Sequence, residues 1–117
     1  MDALDVLRGE FSAQEGSFLL QLRCDLVWDR AAFTRLTEAM LAYCRTRSDE
    51  PTVERWLADG FWYLQWFTRE WSSNPDFPRA YSLDYYERAY RRLDDLASWF
   101  FSGENPYLGE TGFEPLT

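Results

Sequence analysis

The sequence predicts an all-α fold: a single-domain, mostly antiparallel four-helix bundle with a non-helical C-terminal arm. Three observations carry that expectation. Three long segments repeat their apolar residues at a period of 3.6. Serine, aspartate, proline and glycine fall at the joints where such helices would start and stop. Only one short stretch alternates like a strand, and a lone strand cannot satisfy its own backbone groups. The bundle is assigned to residues 1–102 and the Gly/Pro-rich arm to 103–117.

A short helix is expected from Ala3 to Arg8, ending at Gly9. Ser12-Ala13-Gln14-Glu15 has the spacing of a capping box, so the first helix of the bundle is expected over 13–27, with Phe18, Leu19, Leu22 and Leu26 on one side. A strand competes there, because Phe18, Leu20, Leu22, Cys24, Leu26 and Trp28 alternate and Gly16-Ser17 suits a helix interior poorly. Asp29 then reads as an N-cap, with Trp28 before it and Phe33 after it at the spacing of a hydrophobic staple. The helix it opens, about 30–46, turns Phe33, Leu36, Met40, Tyr43 and Cys44 inward.

Ser48-Asp49-Glu50-Pro51 separates that helix from the most aromatic stretch of the chain, residues 51–71. At 100° per residue its apolar face holds Val53, Trp56, Leu57, Gly60, Phe61, Leu64, Phe67 and Trp71. Pro75 and Pro78 stiffen the following loop. Ser82 caps the last helix, 83–102, which Gly103 stops. Its inner side is Leu83, Tyr86, Ala89, Tyr90, Leu93, Leu96, Ala97 and Phe100, and Asp84–Arg88, Glu87–Arg91 and Arg91–Asp95 are outward i,i+4 pairs. In the arm, Tyr107 and Phe113 are the candidate anchors.

Composition narrows the chemistry. The 117 residues include six Trp, seven Tyr and nine Phe, enough aromatic material for a real core. Twenty carboxylates face twelve basic residues, a net charge of −8, and all twelve are arginine. Free nucleic-acid backbone would repel such a chain, whereas a basic protein surface would attract it. With no histidine, His-dependent nucleophile triads, Glu-x-x-His di-metal sites and the usual Cys/His zinc sites cannot be built from this chain. With no lysine, Schiff-base chemistry and a P-loop are ruled out as well. Cys24 and Cys44 lack metal-ligand spacing and read as reduced core fillers. Paired carboxylates are the remaining catalytic option, but each falls on a polar face beside an arginine, the setting of an ordinary charged group. No cofactor, metal or catalytic residue is assigned. Nothing resembles a signal peptide or a membrane span, so the cytoplasm is the default location.

The candidate binding residues are Trp62 and Trp66, one turn apart on the polar side of the aromatic helix, with Arg55 and Arg69 beside them. A surface helix does not need two tryptophans there. Either another element covers that side, or the pair is a contact surface. On the last helix Trp99 also falls outward, near Arg88 and Arg92. Tryptophan and arginine often dominate interfaces. The expected function is a non-catalytic protein-binding module of inhibitor, immunity or adaptor type, docking on a basic partner. A homodimer through the tryptophan face is a variant of it. The alternative is a small-molecule binder with an aromatic- and arginine-lined pocket of roughly 300 Å³ or more.

Overall fold

The computed structural model describes residues 2–47, 49–107 and Leu116, and among them every regular element is helical. The elements are α1 (Ala3–Phe11), α2 (Phe18–Leu20, continuing as a π-helical turn over Gln21–Asp25), α3 (Arg30–Arg47), α4 (Arg55–Ser72) and α5 (Leu83–Ser102). Ser48 and residues 108–115, which include the anchor expected at Phe113, lie outside the described residues.

α1 opens on Asp2, whose carboxylate accepts the Asp5 N–H at 2.9 Å. It runs through Gly9 instead of stopping there. A Cβ on Gly9 would come within 2.9 Å of Gln14 Oε1, the end of a flexible side chain that can move aside, so neither termination nor packing requires glycine there. The capping box expected at Ser12 does not form. The Ser12 hydroxyl instead donates backwards to the Arg8 carbonyl at 2.6 Å, which makes it a C-terminal cap. Gly16 at φ 85° turns the chain, and Ser17 caps α2 by accepting the Leu20 N–H at 3.1 Å. The helix expected over 13–27 is therefore reduced to residues 18–25. It ends where Leu26 adopts a left-handed conformation, φ 55° and ψ 38°, and its N–H reaches the Gln21 carbonyl.

Glu10 joins these two elements. It is 5% exposed, and its carboxylate accepts the Phe18 N–H at 2.9 Å while lying 3.6 Å from Arg35. It thereby satisfies a donor at the start of α2 that has no intrahelical partner. Burial pushes the Glu10 carboxyl above its ordinary 4.5, with the Phe18 and Arg35 contacts opposing that shift. The folded chain therefore binds this proton more readily than the unfolded chain does. That contribution to stability is complete below the unfolded value and is lost as pH rises through the raised folded value. Glu10→Ala should cost about 2 kcal/mol, because a buried N–H is left unsatisfied. Glu10→Gln keeps an acceptor for Phe18 and should cost less. Urea titrations of wild type and Glu10→Gln from acid to neutral pH should show the wild-type advantage shrinking across the same window.

α3 begins as expected: Asp29 Oδ1 accepts the Ala32 N–H at 3.1 Å, and the Trp28 and Phe33 rings meet at 5.2 Å. Phe33, Leu36, Met40, Tyr43 and Cys44 are all buried. The Cys44 thiol is pushed up to about 12 by that burial, which leaves it protonated and unreactive at neutral pH. Cys24 is exposed and so is not the core filler expected. α4 starts four residues later than Pro51. Glu54 is extended and makes no capping hydrogen bond, β-branched Thr52 and Val53 add little helix propensity, and Val53 is exposed.

α5 has the expected ends, with Ser82 accepting the Tyr85 N–H at 3.2 Å and Gly103 at φ 79°. Its buried side is wider than the period implies. Tyr85, Arg92 and Trp99 are buried, whereas Leu83 is 60% exposed.

Ring contacts fix how the long helices lie. Trp28, just before α3, meets Tyr86 at the start of α5 (5.0 Å), and Tyr43 near the end of α3 meets Phe100 near the end of α5 (5.8 Å). These two helices therefore run the same way. α4 runs against them: Phe61 in its first half stacks on Phe100 (4.2 Å), and Ser72 at its end bonds the Tyr90 hydroxyl (2.6 Å). α1 closes one side, with Phe11 packed edge-on against Phe61 at 5.7 Å.

Candidate functional site

α4 places Trp62 and Trp66 on its outer side because its inner side is already committed. Leu57, Gly60, Phe61 and Leu64 are buried against the other helices, and the period of 3.6 turns positions 62 and 66 away from them. Trp62 is 53% and Trp66 49% exposed. Their indoles stack on each other, with centroids 5.8 Å apart and planes only 6° from parallel. Among the described residues, neither indole makes a ring contact with another element.

A second aromatic row runs beside the pair. Tyr63 stacks on Phe67 at 5.2 Å, Phe67 stacks on Trp71 at 5.3 Å, and Tyr63 and Phe67 both touch Trp66 (6.1 and 6.5 Å). The i,i+4 spacing of 63, 67 and 71 makes this row. Trp71, expected on the buried face, is 37% exposed. Its N–H is held at 2.9 Å by the Leu22 carbonyl, within the π-helical turn. The row leads into a depression of about 260 Å³ lined by Leu26, Trp71, Asn74, Asp76 and Phe77.

The arginines do not join the tryptophans. Arg55 is exposed at the start of α4. Arg69 turns toward α5, where Nη2 lies 2.7 Å from Asp94 Oδ2 and its guanidinium covers the Tyr90 ring at 5.4 Å. The second outward site expected on α5 is absent. Trp99 is 3% exposed and packs against Tyr107 at 6.4 Å, and Arg92 is buried beside Tyr107 and Asp95. The Tyr107 hydroxyl donates to Asp95 Oδ2 at 3.2 Å, so the start of the arm covers the surface on which Trp99 was expected to stand free. Arg88 pairs with Asp84 at 2.8 Å. Of the seven residues singled out in the sequence, only Trp62 and Trp66 form one surface. Trp71, Phe77, Leu26 and Asp76, which line the depression, were not among the seven.

Of the paired carboxylates, adjacent Asp94 and Asp95 are engaged structurally, Asp94 with Arg69 and Asp95 with Tyr107. Among the described residues no group of three or more Cys, Asp or Glu is placed to hold a metal ion. No described helix is long and apolar enough to cross a membrane. No protein-family model, curated protein or solved structure matches the chain.

Proposed function

We propose that the chain is a non-catalytic protein-binding module, a mostly antiparallel four-helix bundle with a C-terminal arm. It docks through the outer face of α4 onto a basic protein, as an inhibitor, immunity protein or adaptor does. The observation that carries this reading is the co-planar, half-exposed Trp62–Trp66 pair. A pre-stacked pair of indoles is large and rigid, so little side-chain entropy is lost when a partner covers it. Tryptophan is among the residues that most often dominate binding energy. The net charge of −8 supports a partner of opposite sign, speeds its encounter and disfavours free nucleic acid. The reading keeps the protein in the cytoplasm.

The alternative, a small-molecule binder, finds less support. The aromatic-lined depression of 260 Å³ lies below the ~300 Å³ at which drug-sized pockets begin, and no arginine lines it. A larger hollow, about 480 Å³, includes Arg35 but is otherwise walled by residues such as Glu10, Gln14 and Glu15, with no aromatic side chain among the described residues.

Affinity capture with the whole chain tests the proposal. A captured partner should be basic, and its retention should fall steeply with added salt. Trp62→Ala/Trp66→Ala should weaken it by roughly 100-fold or more, as for two hot-spot residues at ~2 kcal/mol each. Capture of an acidic partner, or no effect of the double variant, contradicts the reading. If light scattering instead shows a dimer that the double variant dissociates, the partner is a second copy of the chain.

A further inference from the structure

The depression at the end of α4 is built from three separate segments: Leu26 after the π-helical turn, Trp71 in the last turn of α4, and Asn74, Asp76 and Phe77 in the loop that follows. We propose that it receives an arginine side chain of the basic protein partner. This supplies an anchor for the docking reading above and rests on that reading for the source of the arginine.

Size is the first argument. A pocket of 260 Å³ is too small for a drug-sized molecule but can take one long side chain. Chemistry is the second. The only polar atom of the Trp71 indole is already bonded to the Leu22 carbonyl and one ring face is stacked on Phe67, so a ligand meets the remaining apolar surface of the indole. Together with the Phe77 ring and the Leu26 side chain, this gives an apolar bed for a methylene stem and a cation–π surface for a planar guanidinium. The Asp76 carboxylate, on the same wall, has no ion-pair or hydrogen-bond partner among the described residues. Its loop is held in place, since Asn74 Oδ1 accepts the Asp76 N–H at 2.8 Å and the Asn74 carbonyl accepts the Phe77 N–H at 2.9 Å. A carboxylate on this held loop, beside an aromatic face, matches the bidentate, stacking geometry of arginine better than the compact ammonium of lysine.

Backbone strain is the third. Leu26 sits at φ 55°, a conformation that β-carbon-bearing residues rarely adopt, and its side chain is left 41% exposed at the pocket. A glycine would hold that turn without strain. Strain retained in order to present an apolar side chain is typical of a binding site, and π-helical turns are themselves frequent at such sites.

The test uses the isotope-labelled full chain and two capped tripeptides, glycyl-arginyl-glycine and its citrulline counterpart, which keeps the shape but lacks the charge. The arginine peptide should shift the Trp71 indole N–H and the amides of Asn74, Asp76 and Phe77 by NMR, with the citrulline peptide binding at least tenfold more weakly. Asp76→Asn should narrow the difference between the two peptides to what the cation–π contact alone supplies. Leu26→Gly should leave the melting temperature unchanged or higher and still weaken the arginine peptide at least threefold. Equal binding of both peptides, or Asp76→Asn without effect, overturns the proposal. Trp62→Ala/Trp66→Ala should leave peptide affinity unchanged, so failure of the pocket and failure of the wider docking surface are read separately.

Discussion

Replacing Trp28 with alanine should destabilise the protein by about 5 kcal/mol, the largest effect expected of any single change described here. Trp28 is 5% exposed and stands where α2, α3 and α5 meet. Its ring lies edge-on to Phe18 at 4.9 Å and to Tyr86 at 5.0 Å, and meets Phe33 at 5.2 Å. Its indole N–H donates to the Tyr85 hydroxyl at 3.0 Å. Truncating a buried tryptophan costs ~3–5 kcal/mol through lost burial and the cavity left behind. Stranding the Tyr85 hydroxyl adds ~1 kcal/mol or more. A domain of this size has only about 5–15 kcal/mol in total, so the variant should be close to unfolded at 37 °C. Trp28→Phe keeps an aromatic ring and should recover about half the loss. Urea unfolding followed by far-UV circular dichroism measures both. A loss under ~2 kcal/mol for the alanine variant would mean that the junction is not packed as described.

The second large effect is expected at Gly60. A Cβ there would lie 2.1 Å from Phe11 Cδ2 and 2.4 Å from Cγ, in the body of a ring that is itself wedged against Phe61 and Trp56. By helix propensity alone Gly60→Ala should stabilise by ~1 kcal/mol. The clash reverses that sign. Either Phe11 is displaced or α1 moves away from α4, and overpacking of this kind costs ~1–3 kcal/mol before the propensity gain is subtracted. A net loss of up to ~2 kcal/mol is expected, and it should be non-additive with Phe11→Ala. Once the ring is gone the alanine fits, so the double variant should be no less stable than Phe11→Ala alone. A stabilised Gly60→Ala variant would show that α1 does not sit on α4.

How much of this could be read from the chain follows from the range of the interactions involved. Caps and periodicity are local, which is why Asp29, Ser82, Gly103 and the inner faces of α3 and α5 were legible. The expectation for α2 failed on local competition: Ser12 could serve the helix behind it or one ahead, and the backward bond to Arg8 prevailed because Gly16 and Ser17 offer a better start five residues on. Trp99 and Arg92 were placed outward by their position on the helix, and the fold-back of Tyr107 lies against them, a contact that periodicity within one helix cannot show. Arg69 was expected beside the tryptophans, but Asp94 lies on a different helix and outcompetes them. The pocket lies furthest from sequence reading, since its walls come from segments about fifty residues apart. The i,i+4 row of Tyr63, Phe67 and Trp71 was the one available hint.

The central claim is that Trp62 and Trp66 form a free surface of the folded chain and take no part in its interior. Urea unfolding of Trp62→Ala/Trp66→Ala tests it most directly. About half of each indole is already in water, and alanine's better helix propensity returns ~0.5 kcal/mol per site, so a loss of about 1 kcal/mol per residue is predicted. A loss of ~3 kcal/mol or more per residue, as for buried tryptophan, would contradict the claim and remove the basis for a docking face on α4.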